Sequence, residues 1–530
     1  MQADATIVTP LKAAFAAIVG ADHVSDDKTR RALFSEDVWE AGAHVAMLIV
    51  APGSTQELSE VIASAHEAGV ALAPRGAGMS YTGGYLPATD STVTLDMTRM
   101  NHVLRISPED MTVTVEAGCT WLALNEALAP HGLRTPFWGP MSGIYSTIGG
   151  GLSNLNAMFG AGHHGTSSES VIALTVVLGD GQLLRTGARG PDGDSPFYRH
   201  YGPDLAGLFC GDGGALGIKA EVTMRLMRTP AHEDSASFSF KSGEAMLKAL
   251  AEMARAGVAA ETCGFDPGLT KIRMKRMSLM NDVKTLGAVV AKQKSLGKGL
   301  MAAAKIALGG RDFIEPDDYP LHMTAEGRSK EGVATDMATA RAIAKQYDGV
   351  EIENTIAKVI RAMPFPAPNS MLGPEGESWV PVHGHASLSD APAMFADIQA
   401  LFAQMAPEFT AHGIHTGFLF SSLSTNAITI EPVFFWPHGY RPIHASMIEP
   451  AHLARLKQLP ESPAATAVVA KAREAVKAIA FRHGAAHFQI GRAYAYRESR
   501  DDASKALLDA IKALVDPARQ FNPGALGFDA

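Results

Sequence analysis

A run of glycine-rich segments, each following a strand-like stretch, narrows the folds open to this chain more than any other feature. Residues 47–51 are a short apolar run closed by Pro52-Gly53. Ser54-Thr-Gln-Glu57 has the capping-box pattern, and Leu58, Val61, Ile62 and Ala65 follow at helical spacing. Residues 70–74 read as the next strand and run into Arg75-Gly-Ala-Gly-Met-Ser-Tyr-Thr-Gly-Gly84. Strands are expected at 92–96 and 112–116, and a helix at 121–128. The nearly all-apolar 171–178 predicts a buried strand, turned by Gly179-Asp-Gly181 into 182–185. Residues 221–225 close the block. Three more glycine segments lie among these: Ser146-Thr-Ile-Gly-Gly-Gly151, His164-Gly165 and Gly211-Asp-Gly-Gly-Ala-Leu-Gly-Ile218. Main-chain N–H groups reach a pyrophosphate only where no side chain intrudes, so loops of this composition suit phosphate binding. Gly76-x-Gly78 alone begins a dinucleotide fingerprint, but its third glycine would fall at Tyr81, which argues against a nicotinamide Rossmann site.

The texture changes after residue 230. Helical patterns at 245–256, 334–347, 391–405 and 464–481 flank strand-like runs at 378–383, 417–421 and 427–435, an α+β pattern with an antiparallel sheet. A last helix at 507–514 leads into Val515-Asp-Pro-Ala-Arg-Gln-Phe-Asn-Pro-Gly524. At 530 residues the chain is too long for one compact core. Two domains are expected: 1–230 completed by about 485–530, and a second formed by 231–484.

Charge and cysteine content exclude several classes. A formal net charge of −9 gives no overall basic field for nucleic acid. Three scattered cysteines, Cys119, Cys210 and Cys263, suit neither a disulfide framework nor a structural zinc site. No stretch of eighteen apolar residues predicts a membrane span, and the N-terminus reads as an amphipathic helix and not a signal peptide, so a cytoplasmic location is expected. Residues 271–305 depart from this balance, with Arg273, Lys275, Arg276, Lys284, Lys292, Lys294 and Lys298 against Asp282. They read as a solvated face, or as a peripheral contact with an anionic membrane or an acidic redox partner.

In order and spacing, the segments Pro74-Arg-Gly-Ala-Gly-Met-Ser80, Val93-Thr-Leu-Asp-Met97, Val113-Thr-Val-Glu-Ala-Gly118, Ser146 to Gly151, His164-Gly165 and Gly211 to Ile218 resemble the FAD-binding domain of the vanillyl-alcohol oxidase / p-cresol methylhydroxylase superfamily. That group also holds the FAD-linked D-lactate and glycolate dehydrogenases. The ending Asp516 to Gly524 is similar to the superfamily's C-terminus. The resemblance implies a PCMH-type FAD-binding fold with a substrate (cap) domain. It implies that Arg75, Gly76, Ala77, Gly78, Met79 and Ser80, with Ser146, Thr147, Gly149 and Gly150, hold the FAD pyrophosphate. Gly217 and Ile218 would lie by the adenine, Asn156 and Gly165 would line the flavin cavity, and Asn522 would belong to the cofactor site. Relatives tether FAD through histidine or cysteine. No histidine stands at Gly78, Met79 or 424–427, so non-covalent FAD is expected.

A flavin accepts hydride at N5, so the protein must orient the donor carbon and take up a hydroxyl proton. His483-Gly-Ala-Ala-His-Phe-Gln-Ile-Gly-Arg-Ala-Tyr494 resembles a pocket segment of the lactate and glycolate dehydrogenases, with Ala486 in place of a glutamate and Gln489 inserted. His487 is the candidate base and Arg492 the anion clamp. Tyr81 and Tyr494 are candidates for an aromatic substrate, although the Tyr-Arg pair of phenol-oxidising relatives is missing near 484–486. Glu431, on an apolar strand, is costly to bury unpaired; it is a further catalytic-site candidate, expected to pair with Arg441 or Arg492 or to shape the pocket. His383-Gly-His385 and His412-x-x-His415 have metal-compatible spacing, but the accompanying motif is not recognisable and no metal is expected. The expected reaction is FAD-dependent hydride abstraction from an alcohol or 2-hydroxy acid, with para-hydroxybenzylic phenols as the alternative and a non-catalytic binding protein as the rival of another class. Oxygen, a cytochrome or a quinone would take the electrons, and a homo-oligomer is expected.

Overall fold

A computed structural model describes residues 5–279 and 315–528. The chain forms two compact units, one of Met1–Asn156, Thr166–Thr229 and Phe488–Ala530, the other of Ala157–Gly165 and Pro230–His487. The short segment Ala157–Gly165 belongs with the second unit, which sequence patterning did not indicate. It is bound there by Gly162 N to Ala260 O (2.9 Å) and Ser424 N to Ala161 O (2.8 Å).

The first unit contains two main sheets. Leu48–Val50, Thr92–Asp96 and Ala71–Arg75 are parallel neighbours, and Val24–Ser25 adds antiparallel to Leu48–Val50. The helix Thr55–Ala68 connects the first strands; Ser54 accepts from Glu57 N, and Gly69 ends it at φ 64°. Its Leu58, Val61, Ile62 and Ala65 are buried with Phe15, Leu72, Val93 and Leu95 in one apolar core. The second sheet is antiparallel, in the order Val103–Ser107, Thr112–Glu116, Ile218–Arg225, Val171–Val177, Leu183–Arg185. The C-terminal segment rejoins this unit through Leu72 N to Gln520 O and Asn522 N to Leu72 O, both 2.8 Å. Buried Lys512 anchors that turn, donating to Asp516 (2.6 Å), Ala215 O (2.7 Å) and Phe521 O (3.1 Å).

The second unit is built on one eight-stranded antiparallel sheet. Its order is Val350–Ile352, His232–Phe240, Tyr319–Gly327, Glu261–Phe265, His415–Leu423, Ala427–Trp436, Ser378–Pro381, with Gly384–Ser387 also on Ala427–Trp436. Strand residues alternate between two faces. On one, Phe418, Phe420 and Phe434 pack against Phe395 and Phe402 of the helix Ala391–Ala411. On the other, Cys263, Phe265, Leu419, Val433 and Phe435 meet residues of Pro267–Leu279 and Thr355–Ala362. Among the described residues no helix is long and apolar enough to cross a membrane.

Candidate functional site

In the first unit, the strand Ala71–Arg75 delivers the loop 76–80, and the helix Ile148–Asn154 begins behind Thr147. A methyl group at Gly76 would collide with the Thr147 hydroxyl, so the absence of a side chain lets the two loops touch. Gly149 approaches the backbone of the turn after the strand Thr112–Glu116, its N donating to Ala117 O at 2.7 Å. The N–H groups of Ala77, Gly78, Met79 and Ser80 donate to no group among the described residues. Four successive N–H groups without an acceptor among the described residues suit an anion. The Arg75 guanidinium is buried beside them, 4.1 Å from the Phe34 ring, and its Nε has no partner. The Asn156 carboxamide oxygen is also buried without a partner.

In the second unit, strand register gathers the titratable groups on the sheet face opposite the phenylalanines. Cys263 pairs with His322, Phe265 with Leu419, Leu419 with Glu431, and His385 with Thr429, so all share one face. Arg273 of Pro267–Leu279 lies 4.0 Å above the Phe265 ring. Burial pushes the Glu431 carboxyl up to about 7 against the opposing pull of Arg273. Burial pushes His322 and His385 down to about 3, leaving both neutral. His322 Nδ1 meets Ser237 Oγ at 2.8 Å, and His385 Nδ1 meets Thr429 Oγ1 at 2.9 Å. His487 Nδ1 lies 2.6 Å from the His383 carbonyl, so that nitrogen carries the proton and Nε2 is the acceptor. Burial also lowers the His487 pKa.

Residues 46–187 match the model of the FAD binding domain, and residues 464–526 match the C-terminal domain of FAD linked oxidases. The chain carries an FAD-binding domain. The mitochondrial cytochrome-linked D-lactate dehydrogenase 1 of Saccharomyces cerevisiae is 34% identical over 36% of this chain and 32% of its own length. The glycolate oxidase subunit GlcD of Bacillus subtilis is 28% identical over 47% of this chain and 51% of its own. These matches thus span from a third to half of the relatives' lengths. The solved structure of p-cresol methylhydroxylase with substrate bound shares the fold at a TM-score of 0.74, covering 99% of this chain and 98% of that one at 16% identity. The fold is therefore the PCMH-type FAD-binding fold with a cap domain.

The FAD-binding domain fits its cofactor in chemical terms. Unpaired N–H groups at residues 77–80 and the Arg75 guanidinium match a diphosphate, and the Asn156 oxygen is an open acceptor. Ser146 and Thr147 are engaged locally: Ser146 Oγ meets Ser142 Oγ at 2.5 Å, and Thr147 Oγ1 accepts from Gly150 N at 3.3 Å. A methyl at Gly217 would meet Val176 and Phe209, and the Ile218 side chain belongs to the apolar core. Gly165, at φ 71°, lies in the second unit.

Three expectations need correction. Arg492 is no anion clamp: its five donors go to Pro523 O twice, Gly83 O, Leu86 O and Asn522 Oδ1, at 2.7–3.2 Å. Asn522 spends both amide donors on Gly84 O and Gly213 O, each at 2.6 Å, so its side chain fastens loops together and has no N–H left to donate to a cofactor. Glu431 faces Arg273, not Arg441 or Arg492, because the helix Pro267–Leu279 covers its side of the sheet. Tyr81 is buried, its hydroxyl accepting from Gln489 Nε2 at 3.1 Å, and Tyr494 is buried. Among the described residues, His383, His385, His412 and His415 belong to no cluster of three or more metal-ligating side chains. Of the basic stretch, Lys271 pairs with Asp317 at 3.0 Å and Lys275 with Glu375 at 2.5 Å; residues 280–305 lie outside the described residues.

Sequence patterning missed Arg273, which it counted as one cation in a basic run. The available signal was its place three residues from Thr270 and four from Leu269, on the side of the helix that becomes buried.

Proposed function

We propose that this protein is an FAD-dependent oxidoreductase that oxidises a small 2-hydroxy acid or related alcohol at its oxygen-bearing carbon. The observation that carries the reading is the FAD-binding domain together with a buried carboxyl, Glu431, on a sheet face covered by the helix that bears Arg273. FAD, when bound, supplies the hydride acceptor. Converting a 2-hydroxy acid to the 2-oxo acid also releases the hydroxyl proton, and Glu431 is suited to receive it, since a pKa near 7 leaves the base form populated at neutral pH. Arg273 is suited to hold the substrate carboxylate, which its planar guanidinium can engage through two parallel bonds. His487, with Nδ1 bonded to the His383 carbonyl, is a second neutral acceptor through Nε2. Support for an acid substrate also comes from relatives named for D-lactate and glycolate. The cofactor is held without a covalent link, and the electron acceptor is oxygen, a cytochrome or a quinone.

The test is direct. Purified protein should show a flavin band at about 450 nm that survives desalting and is released by denaturation as free FAD. Anaerobic addition of D-lactate, glycolate and other 2-hydroxy acids should bleach it. Bleaching by 4-hydroxybenzyl alcohols alone would overturn the acid assignment, and a colourless protein that takes up no FAD would overturn the enzyme reading.

A further inference from the structure

Two adjacent imidazoles and a carboxylate distant from them in sequence converge in the second unit, and none of the three is among the groups assigned above. His163 and His164 end the short helix Ala161–His164, and Glu326 belongs to the strand Tyr319–Gly327. One ligand-capable atom from each lies within 4.8 Å of the other two. We propose that His163, His164 and Glu326 bind a divalent transition-metal ion of the zinc type.

The donor set argues for the ion class. Two imidazoles and one carboxylate suit zinc and its first-row neighbours, whereas calcium and magnesium take oxygen ligands. His163 is already oriented: its Nε2 lies 3.0 Å from the Gly257 carbonyl, so that nitrogen donates and Nδ1 keeps its lone pair. Donation of the distal ring N–H to a carbonyl is the usual support for a metal-bound histidine. Glu326 is fixed from the other side by Arg361, which bonds its Oε2; a carboxylate has further lone pairs for an ion.

Local charge points the same way. Strand register sets Glu326 directly opposite Glu233, and Glu261 lies on the neighbouring strand. Arg361 is the guanidinium that binds all three, with 2.9 Å to Glu233 and 2.8 Å to Glu261. A divalent cation beside the imidazoles would be attracted by this carboxylate cluster. A tetrahedral ion with bonds of about 2.0–2.1 Å sets its ligand atoms roughly 3.4 Å apart. Side-chain rotation of the two half-buried histidines closes the remaining distance. Three protein ligands leave a fourth position for water or an anionic oxygen.

The experiment uses the full-length chain without a histidine tag, stripped with a chelator, reloaded with Zn²⁺ or Co²⁺ and desalted. Metal is measured by mass spectrometry, and flavin absorbance is recorded on the same samples so that cofactor loss is not mistaken for metal loss. About one ion per chain is expected in the parent. His163→Gln/His164→Gln and Glu326→Gln should each weaken retention at least tenfold, while His412→Gln leaves it unchanged. If Glu326→Gln fails to fold, the double histidine variant carries the test, since those residues are only half-buried. A parent that retains no more metal than the double variant overturns the proposal.

Discussion

Replacing Glu431 with glutamine tests the link between the covered sheet face and the chemistry. In the folded chain burial holds this carboxyl at about 7, well above the ordinary glutamate value of about 4.3. Its ionised fraction is then about a tenth at pH 6, half at pH 7 and nine-tenths at pH 8. If the carboxylate takes the hydroxyl proton, flavin reduction by a saturating 2-hydroxy acid should rise roughly fivefold from pH 6 to 7 and less than twofold from pH 7 to 8. Glu431→Gln should lower the rate by about 10²–10⁴-fold and remove that dependence. Arg273→Leu removes the group that lowers this pKa, so the midpoint should move to higher pH while the acid binds more weakly. Stability gives an independent sign. A carboxyl whose folded pKa is raised contributes stability below its unfolded pKa and loses it as pH climbs through 7. The glutamine variant should therefore be at least as stable as the parent at pH 8, with the difference shrinking towards pH 4. The assay is anaerobic stopped-flow bleaching across pH, with thermal melts on the same preparations. An unchanged rate and an unchanged pH profile in Glu431→Gln would refute the reasoning.

Other consequences follow from the same geometry. Arg75→Ala should weaken FAD binding by about 10–100-fold, because a hydrogen bond to a charged group contributes about 1.5–3 kcal/mol; flavin titration of the apoprotein reads this. Gly76→Val forces a side chain into Thr147 and should abolish flavin retention, whereas Gly132→Ala, at a glycine with open space, should keep it. Arg361→Met leaves Glu261 and Glu326 buried without their shared cation and should cost about 3–5 kcal/mol, measured by denaturant unfolding. That loss should be smaller at pH 5 than at pH 8, since the stranded carboxyls protonate. Arg492→Ala should lower the melting temperature yet leave flavin reduction in the loaded enzyme within about threefold, because its partners are loop carbonyls.

Much of the first unit was legible in order along the chain. Ser54 capping Glu57 and the apolar spacing of Leu58 to Ala65 are local facts, and the helix Thr55–Ala68 follows from them. The glycine-rich segments 75–84 and 146–151 could be read as places where backbone must be approached closely, since the absence of a side chain is a local fact of sequence. The segment Ala157–Gly165 was not legible as part of the second unit, because its partners, Ala260, Gly257 and Ser424, lie about a hundred or more residues away and local pattern carries no trace of them.

Taken alone, the sequence settled what depends on neighbours within a few residues: strand and helix periods, caps, turns, and loops whose N–H groups are open to a diphosphate. Only the tertiary structure decided which charges meet. Arg492 and Asn522 looked like site residues until their donors were found on loop carbonyls, and Arg273 looked like one cation in a basic run until its helix laid it over Phe265 beside Glu431. The reason is physical: a side chain's pKa and hydrogen-bond partners are set by burial and by groups brought across the sheet through register, and register pairs residues with no regard for their separation along the chain.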